Sequence, residues 1–424
     1  MERLTSSPRL MIVSDLDDTM VDHHKDPENL ALLRFNSLWE DAYRHDSLLV
    51  FSTGRTQSMY KKLRKEKPLL TPDVIVTSVG TEIAYGNSMV LDNNWIEIMN
   101  HKWDRGIVEE ETSKFPELTL QSGTEQRPHK LSFFIDKSKV QEVTKELTQR
   151  LEKRGLDIKI IFSGGKAFDV IPKGGGKGQA LAYLLKKLKT EGKLPINTLA
   201  CGDSGNDTEL FTIPNVYGAM VSNAQEELLE WHAANAKDNA NIIHASERCA
   251  GAILQAIGHF KLGPNLSPRD VSDFLKYKAD NVNPSHEVVK FFLFYERWRR
   301  GEVEICDTSY ITSLKASCHP AAVFVHPSGA EKSLRDTIDE LGKYNGDKKG
   351  KKFRVWTDQV LATDTTPGTW IVKLDKWEQT GDERKCCTTT VKFTLKEEEG
   401  FVWEHVQQTW SEATQVKDDN NWII

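Results

Sequence analysis

Three carboxylates in four residues, Asp15, Asp17 and Asp18, follow directly on the apolar run Leu10-Met11-Ile12-Val13, and Thr19 closes the group. Aspartate is a poor strand former and the three charges repel, so their place at the end of a buried strand asks for a chemical reason. Phosphoryl transfer supplies one. It needs a nucleophile, a proton donor for the departing alkoxide, a cation for the phosphate charge and donors for the remaining oxygens. Side chains two apart point the same way while a chain stays extended, and the carboxyl ends of strands are where open α/β sheets bind ligands. Asp15 is placed to attack phosphorus, and Asp17, once the chain turns, to sit near the leaving oxygen. Taken alone, the cluster also reads as a solvated turn.

Three other stretches change that balance. Phe51-Ser52-Thr53-Gly54-Arg55 ends a second apolar run, with the Thr53 hydroxyl ready for a phosphate oxygen or, equally, for capping a helix. The run 174–178 sets Lys177 among four glycines at a helix start, offering a cation and free backbone N–H groups. A flexible loop with a surface lysine is its bland alternative. It is not a P-loop, because Gly178 stands where that motif needs Ser or Thr. Cys201-Gly202-Asp203-Ser204-Gly205-Asn206-Asp207 ends another strand, and its two carboxylates around a tight turn suit Mg²⁺, a hard cation that prefers oxygen. The four stretches occur in order, three of them directly at strand ends. Their conjunction is far more specific than any member.

The elements that must hold these residues are legible in outline. Runs 10–14, 48–53 and 73–78 are short buried strands, and helices are expected from Pro27 to Tyr43, Thr56 to Lys65 and Gly178 to Lys189. Asp26-Pro27 reads as a cap followed by proline at the first helical position. Such alternation predicts a doubly wound parallel sheet. Between 90 and 172 the texture changes to a mixed sheet, with strands at 130–136 and 158–163 and a hairpin partner at 166–172. A mixed segment bracketed by two parts of one parallel sheet is an inserted domain. The expected organisation is a Rossmann-like α/β core over 8–89 and 173–260, an inserted α/β cap over 90–172, a linker over 261–283, and an α+β domain over 284–424. In that last region Trp370, Val372 and Leu374 alternate with polar residues, as do Val391, Phe393 and Leu395, which predicts antiparallel strands with one buried face.

Composition limits the partners. The 424 residues carry 56 Lys and Arg against 62 Asp and Glu, a formal charge of −6, so there is no basic field for nucleic acid or an anionic membrane. A small anionic substrate needs a local cluster of positive charge instead. The six cysteines show no metal-ligand spacing, which fits reduced thiols and a cytoplasmic location. No secretory signal or membrane-spanning run is seen. Adjacent histidines rarely face one ion, so His23-His24 is expected in a solvated loop, and the aromatic group 291–298 is expected in a core or subunit interface.

On these motifs the chain resembles phosphatases of the haloacid dehalogenase superfamily. The stretches SDLDDTMVDHHKD, TSVGTEI, KLSFFID, IFSGGKAFDVIPKGGGKG and YERWRRGEVE narrow the resemblance to the plant sucrose-phosphatase family over essentially the whole chain. The resemblance implies hydrolysis of sucrose 6F-phosphate, the final step of sucrose biosynthesis, through an aspartyl-phosphate on Asp15, with Asp17 as acid and then base. It implies Mg²⁺ held by the Asp15 carboxylate, the Asp17 carbonyl, Asp203 and Asp207. Thr53, Gly54, Lys177, Ser204 and Asn206 would hold the phosphoryl group. Thr81 and Glu82, at the border of core and cap, with Lys130, Ser163, Gly164, Lys166 and Asp169 in the cap, are the candidate sugar contacts. Asp18 is left without a catalytic role, and its side chain is expected to shape the turn by bonding nearby backbone. The C-terminal region resembles the cone-shaped nuclear-transport-factor fold, from which a homodimer, or association with the enzyme that makes sucrose phosphate, is expected. The competing readings are a phosphatase for another sugar phosphate, such as trehalose 6-phosphate, and a sugar-phosphate-binding regulatory protein without turnover.

Overall fold

The computed structural model describes residues 3–271, 283–397, 400–411 and 424, so most of the second half of the expected linker, 272–282, lies outside the described residues. The chain forms two compact units, Met1–Leu32 with Asp46–Asn265, and Leu33–His45 with Leu266–Ile424.

In the first unit the strands run β1 (Leu10–Ser14), β2 (Leu48–Ser52), β3 (Val74–Thr77), β4 (Glu82–Tyr85), β5 (Val90–Leu91), β6 (Thr119–Leu120), β7 (Leu131–Phe134), β8 (Ile158–Ser163), β9 (Ala167–Pro172), β10 (Asn197–Gly202), β11 (Tyr217–Met220) and β12 (Ile242–His244). Eight of them make one sheet in the order β12-β11-β10-β1-β2-β3-β4-β5. The first six in that order are parallel, and β4 and β5 close the edge antiparallel. Every residue of β1 is buried, as a central strand covered on both faces requires. The helix Lys177–Thr190 lays Ala180, Leu181, Leu184 and Leu188 into the same core as Met11, Val13, Val50 and Ala200, which follows from their three- and four-residue spacing. β1 lies between β2 and β10, so the ends of three consecutive sheet strands converge on the residues after Ser14.

The four strands β6-β7-β9-β8 form a separate antiparallel sheet inserted between β5 and β10. One face packs Phe133, Phe168 and Val170 against Val143, Leu147 and Leu151 of the helix Val140–Lys153. The alternate residues Lys130, Ser132 and Asp169 therefore point the other way. The hairpin of β8 and β9 pairs Ser163 with Ala167, as expected from sequence.

The first helix departs from expectation. It begins at Leu30, not at Pro27. Asp26 still supplies the cap, but its carboxylate accepts from Ala31 N (2.8 Å), five residues on, while Asn29 turns through a left-handed φ of 56°.

At the junction into the inserted sheet, Asp92 collects donors from several elements. Its carboxylate accepts from Tyr85 (2.6 Å), Tyr183 (2.9 Å), Lys187 (2.9 Å) and Trp95 N (3.1 Å). Burial opposes its charge, but these hydrogen bonds prevail and lower its pKa to about 2. A folded-state pKa below the ordinary aspartate value of ~3.9 contributes stability that is present above that value and lost as pH falls through about 2. Asp92→Asn is expected to cost the first unit about 1–2 kcal/mol at neutral pH. The measurement is urea unfolding at pH 7 and pH 3, where the gap between wild type and variant should narrow on acidification.

The second unit contains β13 (Cys318–Val325), β14 (Glu331–Ser333), β15 (Phe353–Thr366), β16 (Thr369–Thr380), β17 (Glu383–Lys396) and β18 (Gly400–Trp410) in the sheet order β14-β13-β18-β17-β16-β15. Val372 pairs with Val391 and Trp370 with Phe393, so the two alternating runs are antiparallel strands, as their pattern predicted, and lie beside each other. The helix Ser285–Arg300 buries Phe291, Phe292, Phe294, Tyr295 and Trp298 in this unit's core, as expected for the aromatic group 291–298. Residues 33–45 join the unit through Glu40, which accepts from Val360 N (2.8 Å), and Asp41, which pairs with His286 (2.7 Å).

Candidate active site

Asp15 is fixed by its backbone before its side chain matters: Asp15 N donates to Cys201 O at 3.0 Å, locking the end of β1 to β10. One carboxylate oxygen, Oδ1, accepts from Lys177 Nζ at 2.7 Å, and the same ammonium donates to Asp207 Oδ1 at 2.8 Å. Asp15 Oδ2 has no hydrogen-bond partner among the described residues, and Asp15 lines a cavity of about 320 Å³. The expected nucleophile thus has one oxygen held and one oxygen available.

Lys177 is fully buried at the first position of its helix. Burial would strip its charge, but Asp15 and Asp207 outweigh that and hold it protonated. The loop after β10 is built around Asp207, whose Oδ2 accepts from the backbone of Asp203 and Ser204, both at 3.1 Å. Asp203 is oriented by Thr19 (3.0 Å) and Gln225 (2.9 Å). Carboxylate oxygens of Asp15, Asp203 and Asp207 lie within 4.8 Å of one another, all buried. Burial first, then the neighbouring carboxylates, pushes Asp15 well above the usual range and Asp203 up to about 7. Three buried carboxylates share one ammonium here. An all-oxygen donor set with excess negative charge fits a hard divalent cation.

The turn after β1 corrects one expectation. The backbone of Asp18 makes the turn, with a left-handed φ of 56° and its N–H on Val21 O (2.9 Å), while its side-chain Oδ1 is buried without a hydrogen bond. Asn223 Nδ2 donates to the Asp18 carbonyl at 2.6 Å and holds the turn from outside. Asp17, by contrast, is clasped. Arg55 donates to both of its oxygens and His23 Nε2 lies 2.7 Å from Oδ1. Burial opposes ionisation of Asp17, yet the hydrogen bonds from His23 and Arg55, with the guanidinium charge, hold it far below the ordinary carboxylate range. His23 and His24 both lie in an exposed loop, as expected, but His23 reaches back to Asp17, and His24 is the more exposed of the two.

Thr53 and Gly54 reach the cavity at the end of β2, braced by Thr53 N on Val76 O (2.9 Å) and Val79 N on Thr53 O (3.1 Å). Val79 pays for that contact with φ 57°, a strained conformation for a β-branched residue, and it lines the cavity. The next residue, Gly80, has φ 86°, and a Cβ there would overlap the Gly176 carbonyl and approach Lys177 N to 2.7 Å. Gly80→Ala is expected to displace Lys177, costing at least about 2 kcal/mol of stability and on the order of 100-fold in turnover. Steady-state kinetics alongside urea unfolding checks both. Unchanged kcat in the folded variant would mean Lys177 does not depend on this contact.

Of the expected sugar contacts, Lys130, Ser163, Gly164 and Asp169 line the cavity, as do Ser204 and Asn206. Lys130 is buried, its ammonium 3.2 Å from Gly54 O and 3.3 Å from Glu125. Thr81, Glu82 and Lys166 stand outside the lining. Thr81 Oγ1 donates to Ser78 O (3.0 Å), closing its own turn. Glu82 is consumed by Thr77 (3.1 Å), Ser78 (3.0 Å) and Arg127 (2.8 Å), from the loop between β6 and β7. Lys166, in the β8–β9 turn, sits over the Phe134 ring. Met59, Gln121 and Glu125 line the cavity although nothing in their sequence surroundings marked them.

An aspartate with a free oxygen, a hydroxyl, a buried ammonium and an acidic loop, gathered on strand ends beneath an inserted sheet, define a hydrolase of the haloacid dehalogenase type. A family profile for sucrose-6F-phosphate phosphohydrolase matches residues 8–261, and one for the sucrose-6-phosphate phosphohydrolase C-terminal region matches 284–412. "Probable sucrose-phosphatase 1" of Arabidopsis thaliana is 89% identical over 424 residues, and "Sucrose-phosphatase 1" of Nicotiana tabacum is 62% identical over 427, each covering 100% of both chains. The X-ray structure of the sucrose-phosphatase of Synechocystis sp. PCC6803, in complex with sucrose and phosphate, is 35% identical with a TM-score of 0.54, covering 60% of this chain and 98% of that one. The chain belongs to the sucrose-6F-phosphate phosphohydrolase family.

Proposed function

We propose that the chain is a Mg²⁺-dependent phosphatase that converts sucrose 6F-phosphate to sucrose and inorganic phosphate, closing sucrose biosynthesis. The observation that carries the reading is Asp15, with Oδ1 on Lys177 and Oδ2 uncommitted at the cavity. Oδ2 attacks phosphorus, the bond from phosphorus to the sugar oxygen breaks, and Asp17, once it parts from the Arg55 and His23 contacts that hold it ionised, takes up and supplies the proton that oxygen needs. Asp17 then takes a proton from the water that attacks the aspartyl-phosphate, which frees phosphate and restores Asp15. Thr53, the Gly54 N–H, Ser204, Asn206 and the third N–H of Lys177 hold the phosphoryl oxygens. Asp15, Asp203 and the Asp17 carbonyl would hold Mg²⁺, with Asp207 acting through a remaining lone pair or water. The ion, when bound, neutralises phosphate charge and the crowding of the carboxylates.

Residues 90–172 act as the cap that excludes water and reads the sugar through Lys130, Asp169, Ser163, Gly164, Gln121 and Glu125. None of the six cysteines is joined in a disulfide among the described residues, which supports a reducing, cytoplasmic setting, and among the described residues no helix is long and apolar enough to cross a membrane. We assign the second unit to assembly as a homodimer, with association with the sucrose-phosphate-forming enzyme as a further role. Light scattering should give twice 48.1 kDa, and a mass of 48.1 kDa would overturn the dimer.

The substrate is tested by phosphate release from sucrose 6F-phosphate, trehalose 6-phosphate and glucose 6-phosphate, with Mg²⁺ or with EDTA. Sucrose 6F-phosphate should dominate, and EDTA should abolish release. Preference for trehalose 6-phosphate would overturn the substrate, and no release from any would favour a binding role.

A further inference from the structure

The inserted sheet also touches the core at a point that the reaction as written does not use. Lys159 stands on β8 between Ile158 and Ile160, which pack into the inserted sheet's own core, so its side chain leaves by the opposite face. Its ammonium donates to Gly175 O at 2.8 Å and to Glu209 Oε1 at 2.7 Å. Gly175 lies two residues before Lys177, and Glu209 two residues after Asp207. One side chain of the cap thus ties together the two core segments whose own side chains meet in the Lys177–Asp207 ion pair (2.8 Å). The segments are already close: a Cβ on Gly178 would come within 2.6 Å of Glu209 Cβ. Glu209 Oε2 is buried with no hydrogen-bond partner among the described residues, so this carboxylate is held in place through Oε1 and Lys159. An ion pair with side chains 20% and 31% exposed adds little to stability. Its value lies in what its two ends are attached to.

We propose that Lys159 is a positioning residue, through which the cap keeps Lys177 and Asp207 in register for phosphoryl transfer. The inference rests on the catalytic role given to Lys177 above. Gly80 backs the segment before Lys177 from the core side, where it meets the Gly176 carbonyl. Lys159 holds the same segment from the cap side and fastens it to the loop of Asp207. Without Lys159 the Gly175 carbonyl loses this donor and Glu209 its counter-charge. The two segments can then shift apart, and fewer bound complexes present the Lys177 ammonium to the phosphoryl oxygens. Lys159 touches core groups and not the sugar, so substrate affinity does not pass through it. The cap therefore contributes to the chemical step as well as to substrate recognition.

The test is steady-state phosphate release from sucrose 6F-phosphate by the full chain with Mg²⁺, with urea unfolding to establish that each variant is folded. Lys159→Met keeps the apolar stem and removes the ammonium. It should lower kcat roughly 10-fold, part of what a displacement of about 1 Å costs, and leave KM nearly unchanged. Glu209→Gln, which spares the bond to Gly175 O, should lower kcat about 3-fold on the same scale and decides the matter if Lys159→Met does not fold. In a Lys177→Met background the further loss from Lys159→Met should shrink, because the group it positions is gone. Wild-type kcat in both folded variants overturns the proposal, as does the same fold-loss in the two backgrounds. A raised KM with unchanged kcat would make Lys159 a sugar contact and overturns it too. Wild-type kcat in Lys177→Met removes the reading of Lys177 itself, and the inference with it.

Discussion

Asp15→Asn will retain the fold and lose turnover, by on the order of 10,000-fold or more in kcat, the scale expected when a nucleophile is removed. The substitution changes one atom. The backbone bond from residue 15 to Cys201 O is untouched, and the asparagine carbonyl can still accept from Lys177 at the place where Asp15 Oδ1 does. What disappears is the oxygen that faces the cavity without a partner. Stability should move the other way. Asp15, Asp203 and Asp207 crowd together in a buried site, and burial with the neighbouring carboxylates pushes the protonation of Asp15 upward, so deleting one charge relieves repulsion when no divalent cation is present. Urea unfolding in EDTA should show the variant at least as stable as wild type while phosphate release is abolished. Residual activity near the wild-type level would mean that a water, not Asp15, attacks phosphorus.

Lys177→Met carries the second large effect, on both activity and stability. Among the described residues Lys177 is the single ammonium bonded to two of the three crowded carboxylates. Methionine fills most of its volume but leaves Asp15 and Asp207 buried without their counter-charge, and breaking a buried pair by removing one partner costs about 3–5 kcal/mol. Turnover should fall on the order of 1,000-fold as the phosphoryl group loses a preorganised cation. A diagnostic accompanies these losses: Mg²⁺ should restore more stability to Lys177→Met than to wild type, since it replaces part of the missing positive charge. Thermal unfolding across a Mg²⁺ titration measures that difference, and equal stabilisation of both proteins would show that Lys177 and the ion do not share the same carboxylates.

The gathering of the candidate-site residues was legible because they sit at the ends of strands that announce themselves. Leu10 to Ser14 is buried throughout, so the residues after it must emerge at the sheet edge, and the same logic applies to Thr53 after β2 and Asp203 after β10. Glu82 shows where such reasoning fails. It is close in sequence to the end of β3, but β4 runs back antiparallel and turns the carboxylate into the Ser78 loop, where Arg127 covers it. Gln121, Glu125 and Met59 reach the cavity only through the tertiary placement of the inserted sheet and a helix face, and neither leaves a local pattern. Arg55 was in view, inside the motif that ends β2, but its partner on another loop was not. The helix Leu30–Ala42 was found with a late start, because Asp26 caps across a left-handed Asn29 and not onto Pro27. That residues 33–45 belong to the second compact unit is likewise a property of long-range packing, carried by Glu40 and Asp41.

The central claim is that the phosphoryl group passes through Asp15. Rapid acid quenching of the enzyme during turnover of radiolabelled sucrose 6F-phosphate, followed by peptide mapping, tests it most directly. The account predicts label on the peptide containing Asp15 in wild type, and none in Asp15→Asn. Turnover without protein-bound label, or label on a peptide that lacks Asp15, would contradict it.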